Sequence, residues 1–420
     1  MIKWLQKVFE GKKRASAEQA LYKEIDKQLV FAVSEPLTLG VEFELALLDA
    51  ETLQPAHVGP DIIAGIGSSQ IKEEGAQHMV EVTSTIGHAT QEVEKQLREE
   101  FTKLFSICEK RNLLTTGTAR PPTIKTADSQ CMQNKRMNRL ADERKIFNSR
   151  FDALGMHIHL GMKDAEQCVR YNNFFMHFLP HLIALSASSP FEDGIYTGLA
   201  SIRPSIAESM PIAGVPYYFN GWQDYVRLCH ALFRAGSIQK LKDLWWDIRP
   251  SPNFGTLEIR VCDQPATLDE GMAITAFVHL LALWFQEHQS WLDEMPRPNA
   301  WRLRENKWRA MRYGLDAQLV IDNQGETRPL CDDINLWIER LSPFTEQLGY
   351  KKYTDMLVTV MTRGNSAKRQ QRLWDATQNL EAVAKFNCAE FTAQTPLWDK
   401  LEADINEITS KNDAEKAVAS

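Results

Sequence analysis

Four short segments of the chain alternate between apolar and ionisable side chains, and this alternation constrains the fold more than any other feature. They cover residues 40–45, 79–83, 155–161 and 255–261. Successive side chains of a β-strand point to opposite faces, so each segment predicts a strand with one apolar and one polar face. The ionisable residues on the polar faces are Glu42, Glu44, Glu81, His157, His159, Glu258 and Arg260.

Most of the remaining chain has helical periodicity. Residues 89–112 place Val93, Leu97 and Phe101 on one face of a helix, and further helices are predicted over 165–187, 222–235, 268–290, 302–313, 333–349 and 366–387. Residues 189–221 are rich in Gly, Pro and Ser and predict a long loop region. We therefore predict an α+β fold, in which helices pack on the apolar faces of the strands.

The composition excludes several classes of function. The 420 residues carry a formal net charge of −7, which argues against a general nucleic-acid-binding protein because such proteins need a basic face. The chain has no uninterrupted apolar run of transmembrane length, and its first residues lack the apolar core of a signal peptide. The seven cysteines include no Cys-x-x-Cys pair. We therefore expect free thiols in a cytoplasmic protein, without a membrane or nucleic-acid partner.

The polar faces together hold four carboxylates, and such a cluster is unfavourable unless cations neutralise it. For any one pair of residues, a solvated sheet face remains the alternative; four pairs in separate segments are more specific. Mg²⁺ and Mn²⁺ prefer carboxylate oxygens, an imidazole can complete such a site, and Mg²⁺ often bridges carboxylates to substrate phosphates. The pattern thus suits Mg-ATP. No Gly-x-x-x-x-Gly-Lys motif occurs, so ATP would not be held by a P-loop.

The order of these motifs resembles the glutamine synthetase and glutamate–cysteine ligase superfamily. The closest resemblance is to the bacterial carboxylate–amine ligases, also called glutamate–cysteine ligase type 2. It is carried by Gly-x-Glu-x-Glu at 40–44, Gly-x-His-x-His-x-Gly at 155–161, a long motif at 246–263, and segments 306–316 and 364–370. The resemblance implies a mostly antiparallel curved sheet with a polar catalytic face, backed and flanked by helices. It also implies ATP-dependent amide formation through an acyl phosphate.

The helical pattern of the first residues ends at Glu35-Pro36, so we predict three parts of the chain, and the resemblance implies a role for each candidate residue. Residues 1–35 would be an N-terminal helical arm, 36–395 the catalytic domain, and 396–420 a C-terminal helix and polar tail. The predicted metal ligands are Glu42, Glu44, Glu81, His157 and Glu258. The predicted catalytic residues are Arg260 and Arg203, as phosphate contacts, and His159, which would orient a substrate or ligand. The predicted nucleotide-binding residues are Lys307, Arg309 and Arg249.

The most direct function is transfer of glutamate to an amine, with cysteine as the default acceptor and another amine as an option. Tyr196 stands where the family usually has Asp in an Asp-Thr-Gly loop, so the resemblance does not determine which substrate the pocket accepts. The alternatives are a phosphotransferase resembling guanidino kinases, a metal-dependent amide hydrolase and a non-catalytic nucleotide-binding protein. The family also suggests a homodimer. His177 and His181, four residues apart, are interpreted as residues of a helix face without catalytic function.

Overall fold

A seven-stranded sheet forms the centre of the protein, which we describe from a computed structural model covering residues 23–132, 138–139, 142, 152–210, 212–295 and 297–419. The strands are β1 (Leu39–Asp49), β2 (Ile71–Glu73), β3 (Met79–Thr83), β4 (Leu113–Thr116), β5 (Met156–Gly161), β6 (Phe191–Glu192), β7 (Ile195–Tyr196), β8 (Ala213–Gly214), β9 (Trp245–Trp246), β10 (Ile248–Ser251), β11 (Thr256–Ile259), β12 (Gln318–Val320) and β13 (Thr327–Pro329). In the central sheet they run in the order β10-β11-β5-β1-β3-β2, and β4 also pairs with β1. Every pair in this sheet is antiparallel. The predicted α+β fold with an antiparallel sheet is confirmed.

Helices make up most of the remaining described structure, and those of the main core pack on the apolar side of the sheet. They are α1 (Gly59–Ile66), α2 (Thr90–Lys110), α3 (Ala165–Phe175), α4 (Leu179–Ser186), α5 (Arg203–Glu208), α6 (Trp222–Arg234), α7 (Leu268–Glu287), α8 (Trp291–Glu294), α9 (Ala300–Tyr313), α10 (Leu330–Arg340), α11 (Ser342–Leu348), α12 (Lys351–Arg363), α13 (Ser366–Thr377), α14 (Leu380–Ala393) and α15 (Trp398–Ala419). In the core, the Phe43 ring of β1 meets Phe101 of α2 edge to face, with ring centroids 5.5 Å apart. Gly271 lets α7 approach this ring, because a Cβ atom there would collide with Phe43.

Three predicted helices are interrupted in the structure. The one predicted over 165–187 divides into α3 and α4, and Pro180 lies in the first turn of α4, where its missing N–H costs no helical hydrogen bond. Pro343 starts α11 in the same way. The helix predicted over 366–387 stops at Gln378, which is left-handed with φ 50°. The sequence analysis also missed α1 and α12.

Helix α7 is the central helix of the core. Among the described residues it alone is long and apolar enough to cross a membrane, although the chain has no uninterrupted apolar run of that length. Its most apolar stretch is 89% buried inside the protein, as expected of a core helix. All seven cysteines are free, as predicted.

Both predicted end segments touch the body of the protein. Residues 1–22 of the predicted arm lie outside the described residues. The part that follows is packed, since Ile25 and Leu29 are buried in a cluster with Val169 and Tyr225. At the other end, Trp398 of α15 is buried and donates from Nε1 to the carbonyl oxygen of Gly364 at 3.0 Å.

Candidate active site

The register of the central sheet brings the polar side chains of four strands together. Glu42 and Glu44 of β1 lie directly opposite His157 of β5 and Glu81 of β3, respectively. On the other side of β5, Glu258 of β11 pairs with His159. Directly opposite residues of an antiparallel pair have neighbouring side chains on the same face. The face predicted from alternation is therefore one continuous polar surface.

This surface forms the floor of a cleft of about 720 Å³. Nine of the eleven predicted site residues line it, namely Glu42, Glu44, Glu81, His157, His159, Arg203, Arg249, Glu258 and Arg260. The volume lies within the range of small-molecule sites. The wall also includes Glu74 and, from the N-terminal segment, Gln28.

One group within the cleft has the donor set of a cation site. Ligand atoms of Glu42, His159 and Glu258 all lie within 4.8 Å of one another. The Glu42 carboxylate is 2.9 Å from His157 Nδ1 and 3.4 Å from His159 Nε2. The Nε2 atoms of both histidines are buried and have no hydrogen-bond partner among the described residues. Two carboxylates, an imidazole and these unsatisfied nitrogens fit a divalent cation of the Mg²⁺ or Mn²⁺ kind.

The two histidines have different surroundings within the polar face. His159, predicted to orient substrate, joins Glu42 and Glu258, and its Nδ1 lies 2.9 Å from Thr256 Oγ1. His157, predicted as a metal ligand, lies between Glu42 and Glu44, with its Nε2 3.8 Å from a Glu44 oxygen. Burial and the nearby Arg260 lower the pKa of His157 to about 4, so its ring is neutral at physiological pH.

Two carboxylates of the cleft are held in their protonated form. Burial, together with the charge of Glu74, raises the pKa of Glu44 to about 8. Burial and the neighbouring carboxylates, with Glu42 the largest contributor among them, raise the pKa of Glu81 to about 9. Excess negative charge in a buried site has this effect, and cations relieve it. A cation bound beside Glu44 and Glu81 would therefore stabilise their charged forms.

Glu258 has the opposite environment. Burial disfavours its charged form, but the guanidinium groups of Arg249 and Arg260 outweigh burial and hold its pKa well below the usual range. Arg249 makes a bidentate contact from Nε and Nη2 at 3.0 and 2.9 Å, and Arg260 Nη1 donates to the same carboxylate. Arg249 Nη1 also donates to the carbonyl oxygen of Leu244 at 2.9 Å, which fixes it to the cleft wall.

Arg203 reaches the cleft from the start of α5. Its Nη1 donates to the carbonyl oxygens of Arg260 and Cys262 at 3.1 and 3.0 Å. Gly155 leaves room for the guanidinium, because a Cβ atom at that position would collide with it. The side chain therefore braces the strand end that carries Arg260 and lines the cleft.

Three residues singled out from the sequence lie elsewhere. Lys307 is buried in α9, where its Nζ contacts Asp247 Oδ2 at 2.5 Å and Glu208 Oε1 at 2.7 Å. Arg309 pairs with Glu305 on the same helix at 2.7 Å. Tyr196 packs against Phe191, outside the cleft lining.

The sequence analysis missed Asp247, which lines the cleft and links it to Lys307. Burial raises the pKa of Asp247, although Lys307 opposes that effect. The signal that could have found this carboxylate was its position two residues before Arg249, inside the motif at 246–263.

Comparisons of the fold identify the class of protein. The structure resembles a glutamate–cysteine ligase of Francisella tularensis solved in complex with AMP, with TM-score 0.60 and 12% identity over 92% of this chain and 95% of that one. It also resembles a bifunctional glutathione synthetase of Pasteurella multocida, with TM-score 0.59 and 15% identity over 84% of this chain and 52% of that one. The fold is that of the glutamate–cysteine ligases.

Sequence comparisons define the family. The model of glutamate–cysteine ligase family 2 matches residues 38–386. A candidate glutamate–cysteine ligase 2 of Bdellovibrio bacteriovorus is 36% identical over 86% of this chain and 96% of its own length. One from Gloeobacter violaceus is 32% identical over 84% and 96%. The chain belongs to glutamate–cysteine ligase family 2 and is an ATP-dependent carboxylate–amine ligase.

Proposed function

We propose that the protein joins the γ-carboxyl group of L-glutamate to the amino group of a small acceptor, with L-cysteine as the default. A carboxylate oxygen attacks the γ-phosphorus of ATP, and ADP leaves. The amine nitrogen then attacks the acyl phosphate carbon, phosphate leaves, and the nitrogen loses a proton. The observation that carries this proposal is the convergence of Glu42, His159 and Glu258 with Arg260 and Arg203 in one cleft.

We propose Mg²⁺ or Mn²⁺ as the cofactor ion. Glu42, Glu258 and His159 would hold one ion, and Glu44 and Glu81 would hold another, with His157 between the two sets. When bound, such ions neutralise phosphate charge and help to align the ATP phosphates with the attacking carboxylate. The unsatisfied histidine nitrogens and the raised pKa values of Glu44 and Glu81 support this assignment.

The arginines of the cleft have separate roles in this proposal. The planar fork of a guanidinium suits phosphate, so Arg260 would contact the transferred phosphoryl group and Arg203 the acyl phosphate. Arg249 would act as a positioning residue, because its donors already hold Glu258 and the carbonyl oxygen of Leu244. Lys307 would act on the nucleotide only through Asp247, and Arg309, which does not line the cleft, is assigned no contact.

The same proposal covers the setting of the enzyme. It would act in the cytoplasm on ATP, glutamate and an amine, without nucleic acid or membrane, and as a homodimer. Seven free thiols fit a reducing compartment. Gel filtration coupled to light scattering tests the dimer, and a monomer at micromolar concentration would contradict it.

The test is ADP release by the full chain with Mg²⁺ and glutamate across a panel of amines that includes cysteine, with product masses recorded. We expect one amine to give ADP and a γ-glutamyl product in equal amounts. ADP formation with a phosphorylated guanidino compound and no amide would instead establish the phosphotransferase. No nucleotide-dependent product from any amine or carboxylate, with ATP binding confirmed, would refute the ligase.

A further inference from the structure

A second cavity, of about 340 Å³, lies between α4, α9 and α10. None of the residues that line it also lines the cleft. Its walls combine the rings of Trp291 and Trp337 with aliphatic side chains such as Leu303 and Leu336. A pocket of this size, mostly apolar with a few convergent polar groups, is typical of small-molecule sites.

The charged groups in its lining are predominantly basic. They are Arg302, Arg328 and Arg340 against the single carboxylate of Asp333. That carboxylate is already engaged, because Arg328 Nη1 donates to it at 2.7 Å and His181 Nε2 lies 2.8 Å from it. Arg340 lies over the Trp337 ring, 4.4 Å from its centroid. The cavity therefore keeps an excess of positive charge.

Arg302 is the most informative of these cations. Its exposed fraction is 6%, and the one hydrogen bond it makes within the described residues runs from Nη1 to the carbonyl oxygen of Ile321 at 3.1 Å. Burial lowers the pKa of Arg302, and the nearby Asp322 opposes that effect, but the Asp322 carboxylate is occupied by three backbone N–H groups of its own loop. A guanidinium has five N–H donors, so the donors of Arg302 that have no partner among the described residues are available to a ligand in the cavity.

The histidine pair supplies further polar groups. In the neutral ring of His181, Nε2–H donates to Asp333, so the buried Nδ1, which has no hydrogen-bond partner among the described residues, is an acceptor. Burial and the neighbouring Arg302 and His181 lower the pKa of His177 to about 3, so His177 is neutral at physiological pH and offers both a donor and an acceptor nitrogen. Both residues line the cavity.

We propose that this cavity binds a small organic anion, with its carboxylate or phosphate group on Arg302 and the donor nitrogen of His177, and its apolar body against Trp291, Leu303 and Leu336. The donors of a buried guanidinium match an oxyanion, and aromatic walls match a ring or alkyl body. The inference does not depend on the proposed ligase substrates, because the two cavities share no residue.

Isothermal titration calorimetry of the full chain tests the site with three probes of one shape: phenyl phosphate, benzoate and uncharged benzyl alcohol. We expect one or both anions to bind with a stoichiometry of one, and benzyl alcohol at least about tenfold more weakly, which is 1.4 kcal/mol. The two anions decide whether phosphate or carboxylate is preferred. If neither anion binds at millimolar concentration, or if benzyl alcohol binds equally well, the proposal is wrong.

Three variants locate the bound anion. Arg302→Met removes the buried cation, and Leu336→Trp fills the cavity from an exposed helix position without removing charge. We expect each to weaken binding at least about tenfold. Leu336→Trp decides the question if Arg302→Met fails to fold. Arg260→Gln removes a cation from the cleft instead and should leave binding unchanged; loss of binding there, with retention in Leu336→Trp, would place the anion in the cleft and overturn the proposal.

Discussion

Two clusters of buried charge differ in how their charges are satisfied. The cleft cluster consists of Glu42, Glu44, Glu81, Glu258, His157, His159, Arg249 and Arg260. The Arg369 cluster consists of Arg369 of α13, Glu270 of α7 and Glu390 of α14. In the second cluster Arg369 contacts both Glu270 oxygens at 2.9 and 3.0 Å, and its Nε is 2.8 Å from Glu390. Glu270 and Glu390 also accept from Thr267 Oγ1 and the Leu397 amide.

Comparing the two clusters shows how a structural ion cluster can be told from a functional one. The Arg369 cluster joins three helices, all three residues are buried, and none lines a described cavity. The cleft cluster is open to ligands, and the carboxylate neighbours of Glu81 contribute to its raised pKa. The Arg369 cluster is not matched in charge either, because one guanidinium faces two carboxylates, and burial raises the pKa of Glu390. Access to a cavity is therefore what separates the two: a charge cluster that lines a cavity indicates a missing ligand, whereas one that contacts only protein groups indicates packing.

The largest expected effect is on stability, in the Arg369 cluster. Arg369→Met leaves two buried carboxylates without their cation and should lower the free energy of unfolding by about 3–5 kcal/mol. Urea titration measures it, and ATP turnover per folded molecule should be unchanged. The matched control is Arg372→Met on the same helix, which breaks an exposed pair with Glu402 and should cost less than about 1 kcal/mol. An equal loss of unfolding free energy in both variants would show that the buried Arg369 cluster stabilises the protein no more than an exposed ion pair does.

The next effect is on catalysis, in the cleft cluster. Glu81→Gln removes a carboxylate whose neighbours already oppose its charge, so the free energy of unfolding should stay the same or rise. ADP release should fall at least about 100-fold, because an amide cannot replace the carboxylate that is proposed to hold an ion at the reacting centre. Glu73→Gln, at an exposed position of β2, is the control and should be active. A Glu81→Gln protein that is active, or less stable than the parent, would contradict the interpretation of the cleft cluster.

A smaller effect distinguishes geometry from charge at Arg260. Arg260→Lys keeps a cation near Glu258 but replaces the planar fork by a point charge. We expect stability close to the parent and kcat lower by about 10- to 100-fold. The steady-state rate at saturating ATP and glutamate measures it, with Arg372→Lys as a surface control. An unchanged kcat would move the phosphate contact from Arg260 to another residue of the cleft.

The sequence predicted the strands well because the signal is local. An alternation of period two assigns Glu42, Glu81 and His157 to the polar face without any knowledge of their neighbours. The order of the strands is not local, so the sequence could not tell which histidine joins Glu42 and Glu258. Both share the polar face of β5, and only the pairing of Glu258 with His159 separates them.

The candidate residues on helix α9 do not line the cleft. Lys307 and Arg309 belong to a motif of the family, but the direction in which their side chains point depends on how α9 packs. The packing turns Lys307 toward Asp247 and leaves Arg309 beside Glu305. The cavity at Arg302 was missed for the same reason, because its lining comes from segments far apart in the chain.

The smallest effect tests whether an unsatisfied buried nitrogen alone marks a site. Both ring nitrogens of His78 are buried without hydrogen-bond partners among the described residues, yet His78 lines none of the described cavities. Burial, with a smaller contribution from His57, lowers the pKa of His78 to about 4. The unfolded chain, with a histidine pKa of about 6.5, binds a proton in this window that the folded state does not. The contribution of His78 to the free energy of unfolding should therefore fall as the pH decreases from 6.5 to 4 and stay constant below pH 4.

His78→Phe should reduce the loss of unfolding free energy between pH 7 and 5.5 by about 1 kcal/mol, with ADP release at pH 7 unchanged. Urea titrations at the two pH values measure it, and His88→Asn, at an exposed position, is the control. If His78→Phe keeps the full pH dependence, His78 is not buried as a neutral ring. If it loses ADP release, an unsatisfied buried nitrogen would indicate function even away from a cavity, and access to a cavity would no longer separate the two clusters.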